Sequence, residues 1–578
     1  MTSSSVIRLE QSNKAKLTVA VLLIALTSVA VLPFFVIGED QKVGCCGGAM
    51  PVTHDSWMHY NQMNAFWQSL SAGIIYPRWD EHTHGYGAPT TSFYPPGVYY
   101  LTSAIYAVTR DWIATWAGFY WLTMLASAAA FYLYARQHLA RGPSLLGTTL
   151  YVFAPYHLLN QYQRGAMSEF TSFIWIPLCL LYAERLLKSD KRQPDRLSVA
   201  GLAASFGAFL WMHPPTAYQF LLVFGVCILG RFVVWRFKPA TETNVSITNI
   251  LWLIVGLGFG SLLAAAYFYP AIWEQHLVNS DDVERTWPYH ASYVFDYTQT
   301  VYDRVNNVFF VRLDRIWAFN AIGIVVLALA LVKRAPVAAP VAVPVGLWAS
   351  AGLLASFLMT RLSAPLGRLI PKIEIGVYSW RMLTMTSFAL ALLAAASAAR
   401  LKALAHNHRQ SFWSAFRPVA ITSMIVGTLG MSAWYVAWAI WRGQSFEPNL
   451  QHYNYATMPR GAVRENPPMP PVQLAAGQGS LTITRWTPEF RQLRVSLPVA
   501  DQLQFRTRNF AGWTATVDGQ LVPIHEGPIK NILFAVPAGT HDVTLAYVAT
   551  PVRRLSNWLS LVSFALLLSI VITQRRTR

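Results

Sequence analysis

The segment after the first long apolar run carries acids, histidines, an arginine and aromatic residues in a short length of chain. A carboxylate can accept the proton of an attacking hydroxyl, arginine forks onto phosphate oxygens, and an aromatic ring offers a face on which a sugar can stack. These residue types predict acid–base chemistry on a substrate with phosphate and sugar groups, with Asp55, in THDSW, as the candidate base. The neighbours predicted to contact substrate are His54, His59, Arg78, Trp79, Asp80 and Glu81.

Asp55 and the histidines also allow simpler interpretations. An aspartate before Ser-Trp-Met-His is a good helix N-cap, and that role is compatible with catalysis. Histidines and carboxylates can bind zinc together, but the spacing of His54, His59 and the later histidines matches no closed metal motif. No cofactor is therefore predicted, and the histidines are interpreted as substrate contacts or ordinary solvated loop residues. A divalent metal is the alternative.

Charged residues recur where later apolar runs meet polar loops. Arg164 and Glu169, in YQRGAMSEF, and Arg381, in YSWRMLT, lie near the ends of apolar runs. They fit either a salt bridge or an interfacial anchor, or a cavity that holds a lipid phosphate. His213, in WMHPPTAY, is predicted to occupy a tight turn without a chemical role.

The composition indicates a membrane protein. Of 578 residues, 54% are hydrophobic and only 12% are charged, which leaves too little polar surface for a soluble chain. The run from Leu17 to Ile37 carries no charge and can cross about 30 Å of hydrocarbon, so it is interpreted as an anchor and not as a cleaved signal peptide. Lys and Arg exceed Asp and Glu by 45 to 27. The basic residues gather beside apolar runs, as expected of cytoplasmic loops, so nucleic acid is not a predicted partner.

Hydropathy and charge predict a polytopic, mainly α-helical protein with about 12 transmembrane helices. With the N-terminus inside, every basic cluster falls on the cytoplasmic face, provided that the apolar piece at 95–108 does not cross. This piece and a helix at about 56–72 are predicted to lie in the outer interface. The predicted spans are 17–37, 112–135, 143–161, 168–187, 197–212, 215–235, 249–270, 316–332, 337–359, 380–400, 417–441 and 555–573.

The chain divides into three parts by sequence character. Residues 1–441 form the transmembrane domain, whose outer loop at 38–111 carries the two interfacial helices. Region 442–553 begins rich in proline and continues as short alternating runs, typical of a small outer β-sandwich with Asp518-Gly519 as a hairpin turn. Residues 554–578 form a last span with a basic cytoplasmic tail. No Walker loop, Rossmann fingerprint or CxxC pair supports ATP-driven or redox chemistry.

Together these features resemble the GT-C superfamily of integral membrane glycosyltransferases, which have an acid and two interfacial helices in the first outer loop and often an outer C-terminal domain. A group of bacterial relatives, some labelled as pterin-synthase-related, is similar in more detail, although nothing here resembles a soluble pterin enzyme. The matching segments are HDSWMH, YPRWD, GYGAP, FYPP and YQRGAMSE. Two positions depart from the expected pattern, because Asp80 stands in place of asparagine and the acid follows a histidine.

The resemblance implies transfer of a sugar from a polyprenyl-phosphate-linked donor to an envelope acceptor, which is a glycan, a lipid or a protein. The site and the β-domain would face the outside of a bacterial cytoplasmic membrane, among membrane lipids. The implied mechanism is inverting, with Asp55 as base and with Tyr94, Arg164, Glu169 and Arg381 among the residues that bind substrate. A transporter, or a non-catalytic scaffold for envelope polysaccharide, is the alternative.

Overall fold

The computed structural model describes most of the chain. The described residues are 3–35, 50–187, 195–237, 247–279, 289–296, 307–332, 345–367, 369, 378–404, 412–441, 445–446, 458–460, 462 and 468–576. Part of the predicted outer loop, at 38–49, and most of the proline-rich start of the region at 442–553 lie outside these residues.

The first outer loop is helical in two main places. α1 (Ser3–Val31) and a 3₁₀ turn at Leu32–Phe35 precede it, and the described chain resumes at β1 (Met50–Pro51). α2 and α4 coincide closely with the two predicted helices at 56–72 and 95–108, whose placement in a membrane interface stays a prediction. The helical segments of the loop are α2 (Ser56–Ser71), a 3₁₀ turn (Thr83–Gly85), α3 (Thr90–Phe93) and α4 (Gly97–Thr109).

The bundle consists of helices that run from residue 112 to residue 441, with α19 following the β region. They are α5 (Trp112–Ala135), α6 (Arg141–Val152), α7 (Pro155–Leu159), a π turn (Asn160–Arg164), α8 (Met167–Phe170), α9 (Ser172–Leu187), α10 (Arg196–Met212), α11 (Pro214–Phe237), α12 (Ile247–Leu263), α13 (Ala265–Trp273), α14 (Val308–Val332), α15 (Val345–Leu358), α16 (Ala364–Gly367), α17 (Leu383–Leu404), α18 (Phe412–Trp441) and α19 (Pro551–Arg576). Short 3₁₀ turns lie at Gln275–Leu277, Tyr289–Ser292, Arg361–Ser363 and Ser379–Met382.

Among the described residues, seven helices are long and apolar enough to cross a membrane, or up to nine if each of two bent pairs is one span. α12 and α13 meet at 81°, and α15 meets the segment Arg361–Gly367 at 89°. The mainly helical, multi-pass architecture is therefore confirmed, whereas the predicted count of 12 is not. The predicted span at 143–161 is divided in the structure, because α6 ends at Val152 and Pro155, which has no amide hydrogen, begins a new helix.

Residues 472–547 form the predicted β-sandwich from two antiparallel sheets. One sheet has the strand order β3-β6-β10-β9 and the other the order β4-β5-β11-β7-β8. Asp518, with φ of 50°, and Gly519, with φ of 81°, connect β7 to β8, as a two-residue hairpin requires. The strands are β2 (Ser445–Phe446), which pairs with β1, β3 (Val472–Leu474), β4 (Ser480–Thr487), β5 (Phe490–Leu497), β6 (Asp501–Arg508), β7 (Trp513–Val517), β8 (Gln520–Val522), β9 (His525–Glu526), β10 (Asn531–Val536) and β11 (Gly539–Tyr547).

Four bundle helices follow polar residues that the sequence analysis singles out. α8 and α9 follow Arg164, α11 follows His213, and α17 follows Arg381. The apolar parts of α9, α11 and α17 pack into one buried core, which removes their side chains from water and fixes these helices side by side. Their polar beginnings are thereby gathered at one end of the bundle.

Candidate active site

Two sequence motifs that are far apart in the chain pair through their backbones. The amide of His54 donates to the carbonyl of Gln163 at 3.1 Å, and the amide of Asp55 donates to the carbonyl of Arg164 at 2.9 Å. Gly165 has a φ of +61°, a conformation that glycine adopts without strain. A Cβ at Gly165 would also collide with the side chain of Thr53. THDSW and YQRGAMSE are therefore held in direct contact, and the glycine permits it.

Asp55 occupies the N-cap position of α2, but its side chain makes no capping hydrogen bond. The hydroxyl of Thr53 accepts the Ser56 amide hydrogen at 3.0 Å, and the hydroxyl of Ser56 accepts that of Thr53 at 3.0 Å. The interpretation that the Asp55 carboxylate caps the helix is therefore not supported, since the hydroxyl of Thr53 accepts the first amide hydrogen of α2 instead. Its oxygens are left available for other contacts.

Asp55, Arg164, Glu169 and Arg381 are brought together in one cluster. Glu169 is 1% exposed and accepts hydrogen bonds from Arg164 and from Nε of Arg381, the latter at 3.1 Å. Asn160 donates to Glu169 at 3.0 Å, and the Tyr156 hydroxyl also donates to it. The second terminal nitrogen of Arg164 lies 3.9 Å from Oδ2 of Asp55. One buried carboxylate thus orients two arginines, and one of these reaches Asp55.

The two carboxylates differ in their access to water. The side chain of Asp55 is 33% exposed, whereas that of Glu169 is 1% exposed. Although Asp55 keeps some exposed surface, the surrounding protein removes enough water to raise its pKa above the ordinary value of 3.8, against the opposing effect of Arg164. Glu169 is fully engaged in orienting arginines, so Asp55 is the carboxylate that a substrate can approach.

His59 and Tyr94 line the same side of the first outer loop. His59 is fully buried, and its Nδ1 lies 3.1 Å from the hydroxyl of Tyr99, which donates to Gln62. Burial, helped by the charge of Arg164, lowers the pKa of His59 to about 3. The rings of His59 and Tyr94 are 5.9 Å apart. His59 is therefore a neutral residue of the buried loop packing near the cluster.

His54 lies close to Arg164 of the cluster and to Arg312, an arginine that the sequence analysis did not name. His54 is exposed and packs edge-on against Phe309, with ring centres 4.8 Å apart. Arg312, also on α14, donates to the side chain of Gln163 at 2.6 Å and lies 3.9 Å over the ring of Trp438. The sequence analysis missed Arg312 because it began this helix at residue 316, whereas α14 begins at Val308. Its signal was an arginine close to the start of an apolar run, as at Arg381.

The other predicted binding residues lie at a different contact. We call it the seam: residues 76–93 of the first outer loop against the β-sandwich and α19. Nη2 of Arg78 donates to Asn557 of α19 at 2.9 Å. Glu489 accepts the amide hydrogens of Arg78, at 2.6 Å, and Trp79, at 3.1 Å. The structure therefore does not bring Arg78 to Asp55 and gives it partners in the seam instead.

Trp79, Asp80 and Glu81 are likewise seam residues. Trp79 is 1% exposed and belongs to the apolar core of the β-sandwich, with its ring 5.2 Å from that of Trp513. Asp80 is buried and accepts from the hydroxyl of Thr83 at 2.7 Å. Glu81 accepts from the indole of Trp486 at 3.3 Å. These contacts give all three residues structural roles away from the Asp55 cluster.

The residues near Asp55 fit a metal poorly. In the part of the chain that the structure describes, no three His, Cys, Asp or Glu side chains gather in a way that could hold one. The charged groups that act on Asp55 are Arg164, Glu169 and Arg381, and the two arginines repel a divalent cation. The cluster is better suited to a substrate that brings negative charge.

Comparison with known proteins finds relatives by structure only. No family matches the chain, and no curated protein matches it. The oligosaccharyltransferase AglB of Archaeoglobus fulgidus, in complex with an inhibitory peptide and a dolichol-phosphate, is 13% identical, with a TM-score of 0.47 over 75% of this chain and 57% of that one. The apo form of the oligosaccharyltransferase from the same archaeon is 12% identical, with a TM-score of 0.45 over 73% of this chain and 56% of that one.

A bacterial enzyme is similar to a comparable degree. ArnT from Cupriavidus metallidurans, bound to undecaprenyl phosphate, is 11% identical, with a TM-score of 0.40 over 74% of this chain and 77% of that one. The chain thus spans little more than half the length of the archaeal enzyme. The neighbours are GT-C membrane glycosyltransferases, the superfamily that the sequence motifs resemble. At such identities and TM-scores, the similarities say nothing about the activity of this chain.

Proposed function

We propose that this protein is a membrane glycosyltransferase that uses a polyprenyl-phosphate-linked sugar as donor. The observation that carries the proposal is the cluster in which a partly exposed carboxylate, Asp55, lies 3.9 Å from an arginine that is oriented by buried Glu169. Such a cluster offers a proton acceptor and a partner for phosphate at one place. Transfer of a sugar from a phosphate to a hydroxyl needs both.

Asp55 is the proposed general base. Its raised pKa makes it a stronger base than an ordinary aspartate, and its exposed side chain can meet an acceptor hydroxyl. In the proposed step, Asp55 takes the proton of that hydroxyl while the hydroxyl oxygen bonds to the anomeric carbon. The bond from that carbon to the phosphate oxygen breaks, and attack from the opposite face inverts the configuration.

Arg164 and Arg381 are the proposed partners of the leaving phosphate. Both already bond to Glu169, whose position fixes their guanidinium groups before a substrate arrives. Fixed charges stabilise a developing negative charge without reorganising during the reaction. Arg312 brings a third positive charge close to the cluster. Burial lowers the pKa of His54, and the charges of Arg164 and Arg312 lower it further. No step of this mechanism is routed through a metal.

The depth of the cluster suits a lipid-borne donor. Arg164 directly precedes the apolar helix Met167–Leu187, and Arg381 lies in the first turn of the apolar stretch Ser379–Arg400. Residues at such helix ends lie where hydrocarbon gives way to head groups, so a phosphate there keeps its polyprenyl tail in lipid. The tail would anchor the donor, and the acceptor would approach from water.

The orientation follows from charge. In the sequence, basic clusters such as those at 185–196 and 400–409 come at or after the C-terminal ends of α9 and α17, the helices that follow Arg164 and Arg381, and basic loops stay in the cytoplasm. We therefore place the cluster and the β-sandwich outside a bacterial cytoplasmic membrane, where a glycan, lipid or protein of the envelope is the acceptor. The domain divisions at 1–441, 442–553 and 554–578 belong to the same proposal.

The test uses the full chain reconstituted in lipid nanodiscs. Saturable binding of undecaprenyl phosphate is measured first. Undecaprenyl-phosphate-linked mannose, glucose, N-acetylglucosamine and aminoarabinose are then supplied with an envelope extract, and released undecaprenyl phosphate is measured by mass spectrometry. We expect at least one donor to be consumed. We expect Asp55→Asn to lower that rate by about 10²–10⁴-fold, the range of general-base catalysis, while lipid binding persists.

Asp111→Asn is the matched control. Asp111 is exposed and caps α5 by accepting two amide hydrogens, at 2.7 and 2.8 Å, and asparagine caps helices equally well. The rate should not change in this variant. Failure of the wild-type protein to bind undecaprenyl phosphate would overturn the donor class, and undiminished release by Asp55→Asn would overturn the base.

A further inference from the structure

One imidazole nitrogen of His213 is hydrogen-bonded within the protein, at the turn before α11. Pro214 and Pro215 begin α11 and have no amide hydrogen, so the first free amide of the helix is that of Thr216. His213 accepts this amide hydrogen at its Nδ1, at 3.3 Å, and the Thr216 hydroxyl lies 2.8 Å from the same nitrogen. His213 therefore caps α11 through Nδ1.

This capping determines where the imidazole proton lies. A nitrogen that accepts an amide hydrogen carries none itself, so the neutral ring has its hydrogen on Nε2. Burial and the nearby charge of Arg381 lower the pKa of His213 well below its ordinary value, which keeps the ring neutral. Although His213 is only 5% exposed, its Nε2 has no hydrogen-bond partner among the residues that the structure describes. A fixed N–H donor is thus left without an acceptor inside the protein.

Contacts on both sides place His213 next to the Asp55 cluster. On one side, α4 begins at Gly97, where a Cβ would lie 2.9 Å from the carbonyl oxygen of Trp211, so the loop bearing Tyr94 abuts this turn. On the other side, Gln219 of α11 donates to the carbonyl of Tyr378 at 2.9 Å, three residues before Arg381. The charges of Arg381, Glu169 and Arg164 all act on the His213 ring.

We infer that His213 binds substrate by donating a hydrogen bond from Nε2 to a phosphate oxygen of the lipid-linked donor, an inference that rests on the proposed function. Phosphate is the acceptor that fits, because the adjoining arginines already favour a negative group and Nε2 has no acceptor among the described residues. A neutral donor adds a directed hydrogen bond without adding repulsion to Arg381. The turn predicted to have no chemistry would then complete the phosphate site.

Two substitutions separate this role from helix capping. His213→Asn keeps a side-chain oxygen that can accept the Thr216 amide hydrogen but removes the donor at Nε2. His213→Gln keeps an N–H near the Nε2 position but is a poor cap. If His213 only capped α11, His213→Asn would be harmless and His213→Gln would be the more damaging variant. If Nε2 binds phosphate, the order for ligand affinity is reversed.

The measurement is the affinity of the full chain in nanodiscs for undecaprenyl phosphate, with undecaprenol as the probe that lacks phosphate. We expect His213→Asn to weaken undecaprenyl phosphate binding by about tenfold or more, as for the loss of a hydrogen bond to a charged group. Undecaprenol binding and the thermal midpoint should not change, and His213→Gln should bind undecaprenyl phosphate more tightly than His213→Asn.

The outcomes distinguish this inference from the proposed function. Equal undecaprenyl phosphate affinity in wild type and His213→Asn would overturn the role of His213 and leave the donor class intact. An equal loss for undecaprenol would also overturn it, because the effect would then not concern phosphate. If the wild-type protein binds undecaprenyl phosphate no better than undecaprenol, the proposed function itself fails.

Discussion

Two segments of the first outer loop have similar residue types and different partners. Residues 50–62 bring Asp55 to Arg164, at 3.9 Å, through backbone pairing with the α7–α8 turn. Residues 76–93 form the seam, where Trp79 enters the core of the β-sandwich and Glu489 accepts two of their amide hydrogens. The first segment leaves a carboxylate open to solvent, and the second uses its polar groups to attach a domain.

The partners of these residues, more than their types, distinguish the Asp55 cluster from the seam. Arg78 and Arg164 are both buried arginines close to aromatic rings. Arg164 is bonded to a buried carboxylate and reaches a second, exposed one, whereas Arg78 ends on the neutral amide of Asn557. An arginine between carboxylates can be shared with an incoming phosphate, but one on an amide holds two elements together.

Removal of the seam tryptophan should have the largest effect and should spare the site. Trp79→Ala deletes a ring that is 1% exposed and packs against Trp513 and Tyr547, so we expect a loss of about 3–5 kcal/mol in the free energy of unfolding of the β-sandwich. Hydrogen exchange of β7 and β11 in the full chain measures this loss. Undecaprenyl phosphate affinity should persist. Loss of affinity with unchanged exchange would place Trp79 in the substrate site and not in the seam.

Two glycine variants test whether the close contact between Gly165 and Thr53 positions Asp55. Gly165→Ala incurs about 1–2 kcal/mol for a left-handed backbone and also drives a methyl group into Thr53, which should displace Asp55 and lower turnover. Gly85→Ala, in the seam segment, meets the same backbone strain at φ of +69° but has no atom within 4 Å of its Cβ. Thermal midpoints should fall in both variants, and turnover only in Gly165→Ala. Equal turnover in both would show that the Thr53 contact does not position Asp55.

Lysine substitutions test the different roles of Arg164 and Arg78 without removing positive charge. Arg164→Lys keeps the positive charge beside Glu169 but loses the planar fork that can bind two oxygens at once, so undecaprenyl phosphate affinity should fall about tenfold. Arg78→Lys makes the same change in the seam and should leave this affinity unaltered. Titration of both variants in nanodiscs gives the two values. A similar loss in both would return Arg78 to the phosphate site, where the sequence analysis had placed it.

The fold was largely predictable from the sequence because its signals are local. Apolar runs such as 112–135, the alternating strands and the Asp518-Gly519 turn each report on their own neighbourhood. Span boundaries were less predictable, since Val308 to Arg315 are helical although charges interrupt the apolar run. Because the predicted span began at residue 316, Arg312 was not recognised as part of the helix.

The site was predictable only in part, because its contacts are long-range. The approach of Asp55 to Arg164 and of Arg381 to Glu169 joins segments more than a hundred residues apart. Charge at the ends of apolar runs indicated the candidates but not their partners. Nothing local distinguished Arg78 and Trp79 from the residues of the Asp55 cluster, because their partners Asn557 and Trp513 come from the far end of the chain. The sequence also did not indicate that Thr53, and not Asp55, would accept the first amide hydrogen of α2, because aspartate is a preferred N-cap residue.

The smallest expected effect concerns a carboxyl group of the seam. Burial raises the pKa of Glu489 above its ordinary value of 4.5, although the amides of Arg78 and Trp79 oppose the shift. A raised pKa in the folded state means that the stabilising contribution is fully present below pH 4.5 and is lost as the pH rises through the folded-state pKa. Glu489→Gln resembles the protonated form and keeps an oxygen for both amides. We therefore expect a change of less than about 1 kcal/mol at neutral pH, and a smaller pH dependence of the thermal midpoint.

Asp55 also has a raised pKa, but with the opposite consequence for function. As the proposed base it must be ionised, so turnover should fall as the pH drops through a pKa above 3.8, while the seam gains stability over the same change. Glu489→Gln should remove part of the pH dependence of stability and leave the acid limb of the turnover profile where it is. Thermal midpoints and rates measured across the same pH series test this directly. A shift of the acid limb in Glu489→Gln would mean that the seam and the site are coupled, and that the two segments of the loop do not act separately.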